Sequence, residues 1–151
     1  MRIESSIEVA ASPELVFDRL LDWRAHPLWM PTLESVEAPD EIAAGARLVE
    51  VRAAHGQRLT FDVTVREVDR PRRVHVTGRS RGAVQIEAGE TFGVEPAGER
   101  SRVTMAVEAR LPLVLLPIRH AVAVETEKEI ERSLANLRAQ VEAESNQLAS
   151  S

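Results

Sequence analysis

One carboxylate interrupts an apolar alternation. Val84, Ile86, Ala88, Glu90, Phe92 and Val94 share one parity, and Glu90 is the single ionisable member of the set. If the segment is a strand with that parity turned to a core, burial disfavours the ionised form, raises the pKa and leaves a usable general acid or base. The alternative is a bulge near Gly89 or Gly93 that slips the register by one residue and turns Glu90 to solvent. The spacing alone allows both.

A second group of polar residues lies on a helical pattern near the end of the chain. Ile130, Leu134, Leu137 and Val141 recur at helical spacing and form one apolar stripe. Run backwards at about 100° per residue, the same register passes through Leu116, Arg119, Ala123, Thr126 and Glu127, with His120 at its edge. A helix over residues 112–145 thus packs at one end and faces a hollow at the other. Arg119 and Glu127 could orient a polar group of a ligand there, and Arg119 could stabilise an enolate or carboxylate. Alternatively the helix begins only near Pro117, and Arg119 is solvated.

The remaining candidates divide by their surroundings. His26 lies between two tryptophans in a proline-bounded segment, and like His120 it is either a catalyst or a hydrogen-bonding residue. His55 falls in a turn with Gly56, and His75 faces outward. No histidine pair stands at helical spacing with a carboxylate, so no metal is expected. Trp29 could line the entrance of the hollow and stack on a planar ligand while Trp23 anchors the core; alternatively one or both anchor the short helix on the sheet. Lys128 lies on the far side of the helix from Ile130.

These residues need a scaffold, and the chain supplies one in order. Residues 2–10 alternate, with Ile3, Ile7 and Val9 on one side. Ser12, Pro13 and Glu14 then start a helix: a hydroxyl cap, a proline whose missing N–H costs nothing there, and an acid at the positive end of the dipole. Val16, Phe17, Leu20 and Leu21 are its apolar face, and DWRAHPLWMP continues as a bent second helical piece. Leu33 to Glu37 reads as a short strand. Further strands follow: Val49, Val51 and Ala53 inward; Leu59, Phe61, Val63 and Val65 inward; Val74 and Val76 inward; the Glu90 segment; then Val103, Met105, Val107, Ala109 and Leu111 inward.

Composition narrows the classes. A chain of 151 residues with 44% hydrophobic and 28% charged residues reads as one ordinary globular domain, here residues 1–146 with a frayed tail over 147–151. A formal net charge of -5 argues against a general nucleic-acid partner. With no cysteine, thiolate nucleophiles and cysteine-ligated metals are excluded. The first residues lack the apolar run of a secretory signal and no segment is long enough to span a bilayer, so a cytoplasmic location without membrane insertion is expected. A near absence of lysine suggests a bacterial source. GxSxG, P-loop and GxGxxG motifs are missing, which removes support for serine hydrolysis, nucleotide hydrolysis and dinucleotide binding.

Strand, helix pair, about six meandering strands and a long helix form an α+β arrangement that resembles the helix-grip superfamily, the START and Bet v 1-like proteins, and within it the polyketide cyclase/dehydrase-like group. The resemblance rests on IEVAASPELVFDRLLDWRAHPLWMP at the front and LPLVLLPIRHAVAVETEKEIERSLANLRAQVEAE at the end. It implies a curved antiparallel sheet of about six or seven strands around a long C-terminal helix, with two short helices after the first strand. It also implies a cavity between sheet and helix that holds a hydrophobic small molecule without metal or nucleotide cofactor. Trp29, Phe61, Val63, Val76, Ile86, Phe92, Met105, Leu116 and Ala123 are the expected lining, and Gly78, Ala53 and Ala88 leave room. A carrier of a lipid-like or polyketide-like molecule, as monomer or homodimer, is one reading. An aromatase/cyclase using Glu90, Arg119, His120 and Glu127 for aldol closure and dehydration is another, against which the absence of tyrosine counts. The Schiff-base chemistry of some relatives does not suit the position of Lys128. A third reading makes LPLVLLPI a dimer surface.

Overall fold

The computed structural model describes every residue from 1 to 151 except His55 and the side chain of Ala54. The turn read at His55 lies outside the described residues. Strand β1 (Arg2–Val9) alternates exposed and half-buried positions and ends on fully buried Val9. The hydroxyl of Ser12 accepts the Leu15 N–H at 3.2 Å and caps α1 (Pro13–Leu21), which buries Val16, Phe17, Leu20 and Leu21. A 3-10 helix over Trp23–Leu28 follows, with Pro27 inside it. The tighter winding suits a segment whose proline cannot donate a backbone hydrogen bond.

The rest is a meander: β2 (Leu33–Glu37), β3 (Arg47–Ala54), β4 (Gln57–Asp69), β5 (Arg73–Ser80), β6 (Glu87–Ala97) and β7 (Arg100–Arg110). A 3-10 turn over Leu113–Ile118 leads into the long helix α2 (Arg119–Ser150). The seven strands form one antiparallel sheet in the order β1-β7-β6-β5-β4-β3-β2, so the first strand closes beside the last. The expected curved sheet, long closing helix and two short helical pieces after β1 are all present.

Ile130, Leu134, Leu137 and Val141 of α2 are buried, and the helix packs chiefly against β1 with further contacts to α1 and β7. Directly paired residues in a sheet share a face, so the register defines rows across the inner surface. Val74, Phe92, Met105 and Ser5 form one row. Val76, Glu90, Val107 and Ile3 form the next, and Gly78, Ala88 and Ala109 the one after. The first row is closed by α1 and the aromatic side chains; the third carries almost no side-chain bulk over β5, β6 and β7, before Val63 and Leu48 continue it on β4 and β3. Gly78 has a packing reason as well, since a Cβ there would stand 3.1 Å from Cγ2 of Val63.

Two expectations about the strands are corrected. Strand β6 starts at Glu87, so Val84 and Ile86 precede it, and Val84 is 44% exposed. The turn is closed instead by Ser80, whose N–H donates to the Ile86 carbonyl and whose hydroxyl accepts the Ile86 N–H. In β3 the inner face carries Leu48, Glu50 and Arg52, while Val49, Val51 and Ala53 occupy the outer one. The apolar parity of β4 decides this, because Leu48 pairs with Val63 and Glu50 with Phe61. No helix among the described residues is long and apolar enough to cross a membrane.

Candidate functional site: a charged cluster on the inner face of the sheet

Glu90 faces inward. Pairing runs without a break on both sides of β6, from Arg73 opposite Gly93 to Arg79 opposite Glu87 and along β7 from Ala97 to Glu87. The register shifts of the sheet lie elsewhere, between Val65 and Glu67 and between Leu33 and Ser35. The Glu90 side chain is 14% exposed, with Val76 and Val107 beside it in its row.

Strand β3 brings a partner set that the alternation of its valines concealed. Glu50 is 6% exposed, and its Oε2 accepts the indole N–H of Trp23 at 2.8 Å. Its Oε1 accepts from Arg52 through Nε at 3.3 Å and Nη2 at 3.2 Å. The same Nη2 lies 3.9 Å from Oε2 of Glu90. From α2, Glu129 accepts both the backbone N–H and the hydroxyl of Thr32, at 3.2 and 2.6 Å. Its charge acts on both Arg52 and Glu90.

The electrostatics follow from this crowding. Burial raises the Glu90 pKa, Arg52 pulls it back, and Glu50 and Glu129 push it up again, leaving it at about 7. Burial alone would lower the Arg52 pKa, but Glu50 and Glu90 outweigh it and hold the guanidinium above its ordinary value. His26 is fully buried between Trp23, Trp29 and Phe92, with ring centroids 4.3, 4.8 and 5.9 Å away. One of its ring nitrogens, Nε2, is 2.7 Å from the Leu20 carbonyl, and burial pushes its pKa down to about 4. A neutral imidazole in an aromatic box is structural: it ties the 3-10 helix to the end of α1.

The inner surface opens next to Glu90. A cleft of about 600 Å³ is lined by Met1, Ala109, Arg110, Leu111, Leu116, Arg119, His120 and Ala123. Ala109 lies one row beyond Glu90, so the cluster stands where the packed core gives way to the cleft. A larger depression of about 800 Å³ occupies the other face, lined by His75, Thr77 and Gly89 among others. Its charged groups are mostly committed to one another, as in Arg2 with Glu108 and Arg79 with Glu87. It reads as solvated sheet surface.

The residues expected from the sequence are therefore dispersed. Leu116, Arg119, His120 and Ala123 meet at the cleft, where Arg119 and His120 are exposed. Phe61 is half-buried on the inner face, with Val63 buried in the next row and Val76 in the row after it. Trp29 is not at an entrance: it is 3% exposed in the aromatic cluster, with Phe92 and Met105 buried nearby in the core. Ile86 sits in the turn before β6. Glu127 is exposed, and the helix carboxylate turned to the sheet is Glu129. Glu50, Arg52, Glu129 and Thr32 were missed. Counting back from a two-residue turn at positions 55 and 56 puts Ala54 opposite Gln57, hence Glu50 opposite Phe61, and that arithmetic was available. Nothing comparable flagged Thr32.

A family model described as polyketide cyclase / dehydrase and lipid transport matches residues 1–142. The chain belongs to that family. No curated protein matches the sequence. Among solved structures, TTHA0849 from Thermus thermophilus is 21% identical with a TM-score of 0.78, covering 96% of this chain and 99% of that one. A START superfamily protein from Mycobacterium smegmatis is 18% identical with a TM-score of 0.67, covering 97% and 98%. Ara h 8.0201 is 14% identical with a TM-score of 0.70, covering 93% and 97%. At these identities the likeness is one of fold.

Proposed function

We propose that the chain binds a hydrophobic small molecule, lipid-like or polyketide-like, between the inner face of the sheet and the first turns of α2. The observation that carries this reading is Glu90: a carboxyl mostly removed from water, one row from Gly78, Ala88 and Ala109, whose small side chains leave the inner face open. Burying a carboxylate without a hydrogen-bond donor is costly, and a core needing only stability is better served by an apolar residue. The apolar lining would come from Phe61, Val107, Leu111, Leu116 and Ala123, and the family's description supports an apolar ligand.

A second reading is a polyketide aromatase/cyclase. It is favoured by the Glu90 pKa of about 7, near that of an effective general acid-base at neutral pH. Glu90 would remove or return the proton during enolisation and aldol closure. Arg119 and His120, at the cleft, would reach a polar end of the chain, and no metal or nucleotide enters this scheme.

Native mass spectrometry of the purified protein against a panel of medium-chain lipids and poly-β-keto mimics tests the first reading. Retention of at least one apolar ligand, displaced by bulk at Ala109→Trp, is expected. Failure to retain any would overturn it. Turnover of a retained poly-β-keto mimic by the wild type but not by Glu90→Gln would favour the enzyme; equal binding and turnover in both would remove Glu90 from the chemistry.

A further inference from the structure

The inner polar groups are unbalanced in sign and in hydrogen-bond filling. Three carboxylates, Glu50, Glu90 and Glu129, act on one guanidinium, Arg52. Both oxygens of Glu50 have donors, in Trp23 and Arg52. Glu129 has two, both from Thr32. Glu90 has none among the described residues, and its nearest cation stands at 3.9 Å on an Arg52 nitrogen already bonded to Glu50. The open hydrogen-bonding capacity beside the cleft is thus that of an acceptor, in surroundings with excess negative charge.

Resting on the reading of a ligand-binding inner face, we infer that the polar end of the ligand is a cationic hydrogen-bond donor, a protonated amine carried on an apolar body, which Glu90 accepts with Glu129 close by. A ligand carboxylate placed against Glu90 would meet a buried cluster of three acids and one guanidinium, where like charges repel strongly. An ammonium supplies both the missing donor and the missing charge, and charge-assisted bonds of this kind are the strong ones. The apolar body lies from Val107, beside Glu90, along Ala109, Leu111, Leu116 and Ala123 of the cleft, whose polar lining residues Arg110, Arg119 and His120 are exposed. This makes Glu90 a specificity residue: it selects the head of the ligand, and the cleft accepts the tail.

The groups facing Glu90 are Glu50 and Arg52 from β3 and Glu129 from α2, with His26 behind Trp23. Arg52 stays charged throughout the neutral range, and His26 titrates near 4. Ionisation of Glu90, near pH 7, therefore governs how well an ammonium is held between pH 6 and pH 8.

The test is calorimetric titration of the full chain with decylamine, decanol and decanoate below their aggregation limits. Decylamine stays protonated throughout this range, as a lysine side chain with pKa about 10.4 does. At pH 8 decylamine should bind about tenfold more tightly than decanol, the equivalent of one good charge-assisted bond, with decanoate weakest. Its affinity should fall about tenfold on going to pH 6, as Glu90 takes up its proton. Glu90→Gln should erase both the preference and the pH dependence. Glu131→Gln, an exposed control on α2, should leave all three ligands unchanged. Tightest binding of decanoate, or decylamine binding untouched by Glu90→Gln, would overturn the amine assignment with the cavity reading intact. Binding of none of the three would overturn both.

Discussion

Glutamine at position 90 should make the protein more stable, and only at the pH where the carboxyl would be charged. The Glu90 carboxyl is shifted from about 4.5 to about 7 by burial and by Glu50 and Glu129, against the pull of Arg52. An acid whose pKa is raised by folding binds its proton more tightly in the folded state. Stability is therefore undiminished below about pH 4.5, falls as pH rises, and levels off above about pH 7. A shift of that size costs about 3 kcal/mol at pH 8, at 1.36 kcal/mol per unit. Gln keeps the shape and removes the charge, so Glu90→Gln should gain about 3 kcal/mol at pH 8 and almost nothing at pH 4.5. For a chain of this length that gain is a rise of about 6–12 °C in Tm. Urea unfolding followed by tryptophan fluorescence at the two pH values, with an unchanged m-value, reads it directly. A variant no more stable than the wild type at pH 8 would refute the claim that Glu90 is held in a costly environment. It would also remove the reason for placing the carboxyl there for a ligand.

Trp23→Phe keeps the aromatic packing but leaves Oε2 of Glu50 buried without its indole donor, so about 1–3 kcal/mol should be lost in urea unfolding. His26 is held neutral with its pKa lowered from 6.5 to about 4, so the unfolded chain takes up the proton first. It should contribute about 3 kcal/mol of destabilisation as pH falls from 6.5 to 4, a slope that His26→Phe should lack in a comparison of stability against pH. Leu134→Ala, on the buried stripe of α2, should cost about 2–5 kcal/mol by leaving a cavity against β1, measured by thermal and urea unfolding.

The scaffold was legible because its signals are local. Ser12 and Pro13 announce α1, alternation marks β4 and β7, and the spacing of Ile130, Leu134, Leu137 and Val141 marks the packed half of α2. The parity that Glu90 shares with Phe92 and Val94 left its direction open, and the unbroken pairing on both sides of β6 turns it inward. The rest of the site was hidden by polarity itself. In β3 a rule that sends valines inward fails, because Glu50 and Arg52 satisfy each other and Trp23 takes the remaining oxygen, so the polar face is the buried one. On α2, backward extrapolation placed Arg119 and Ala123 at the cleft but chose Glu127 over Glu129. The two stand about 160° apart around the helix, and straight continuation of the stripe favours Glu127, which is exposed; it is the tertiary contact with Thr32 that turns the face bearing Glu129 inward. Trp29 looked available because aromatic residues are scarce, yet His26 and Phe92 enclose it.

The most direct measurement is amide chemical-shift mapping of the ¹⁵N-labelled protein during titration with decanol, which carries no charge and so tests the inner face independently of its polarity. Binding as described should perturb Val76, Glu90, Val107, Ala109 and Ala123, from both walls of the hollow, and leave Arg66, Arg79 and Arg102 on the outer face unmoved. Shifts confined to the outer face, or a saturating titration that leaves Glu90 and Ala109 untouched, would contradict the account.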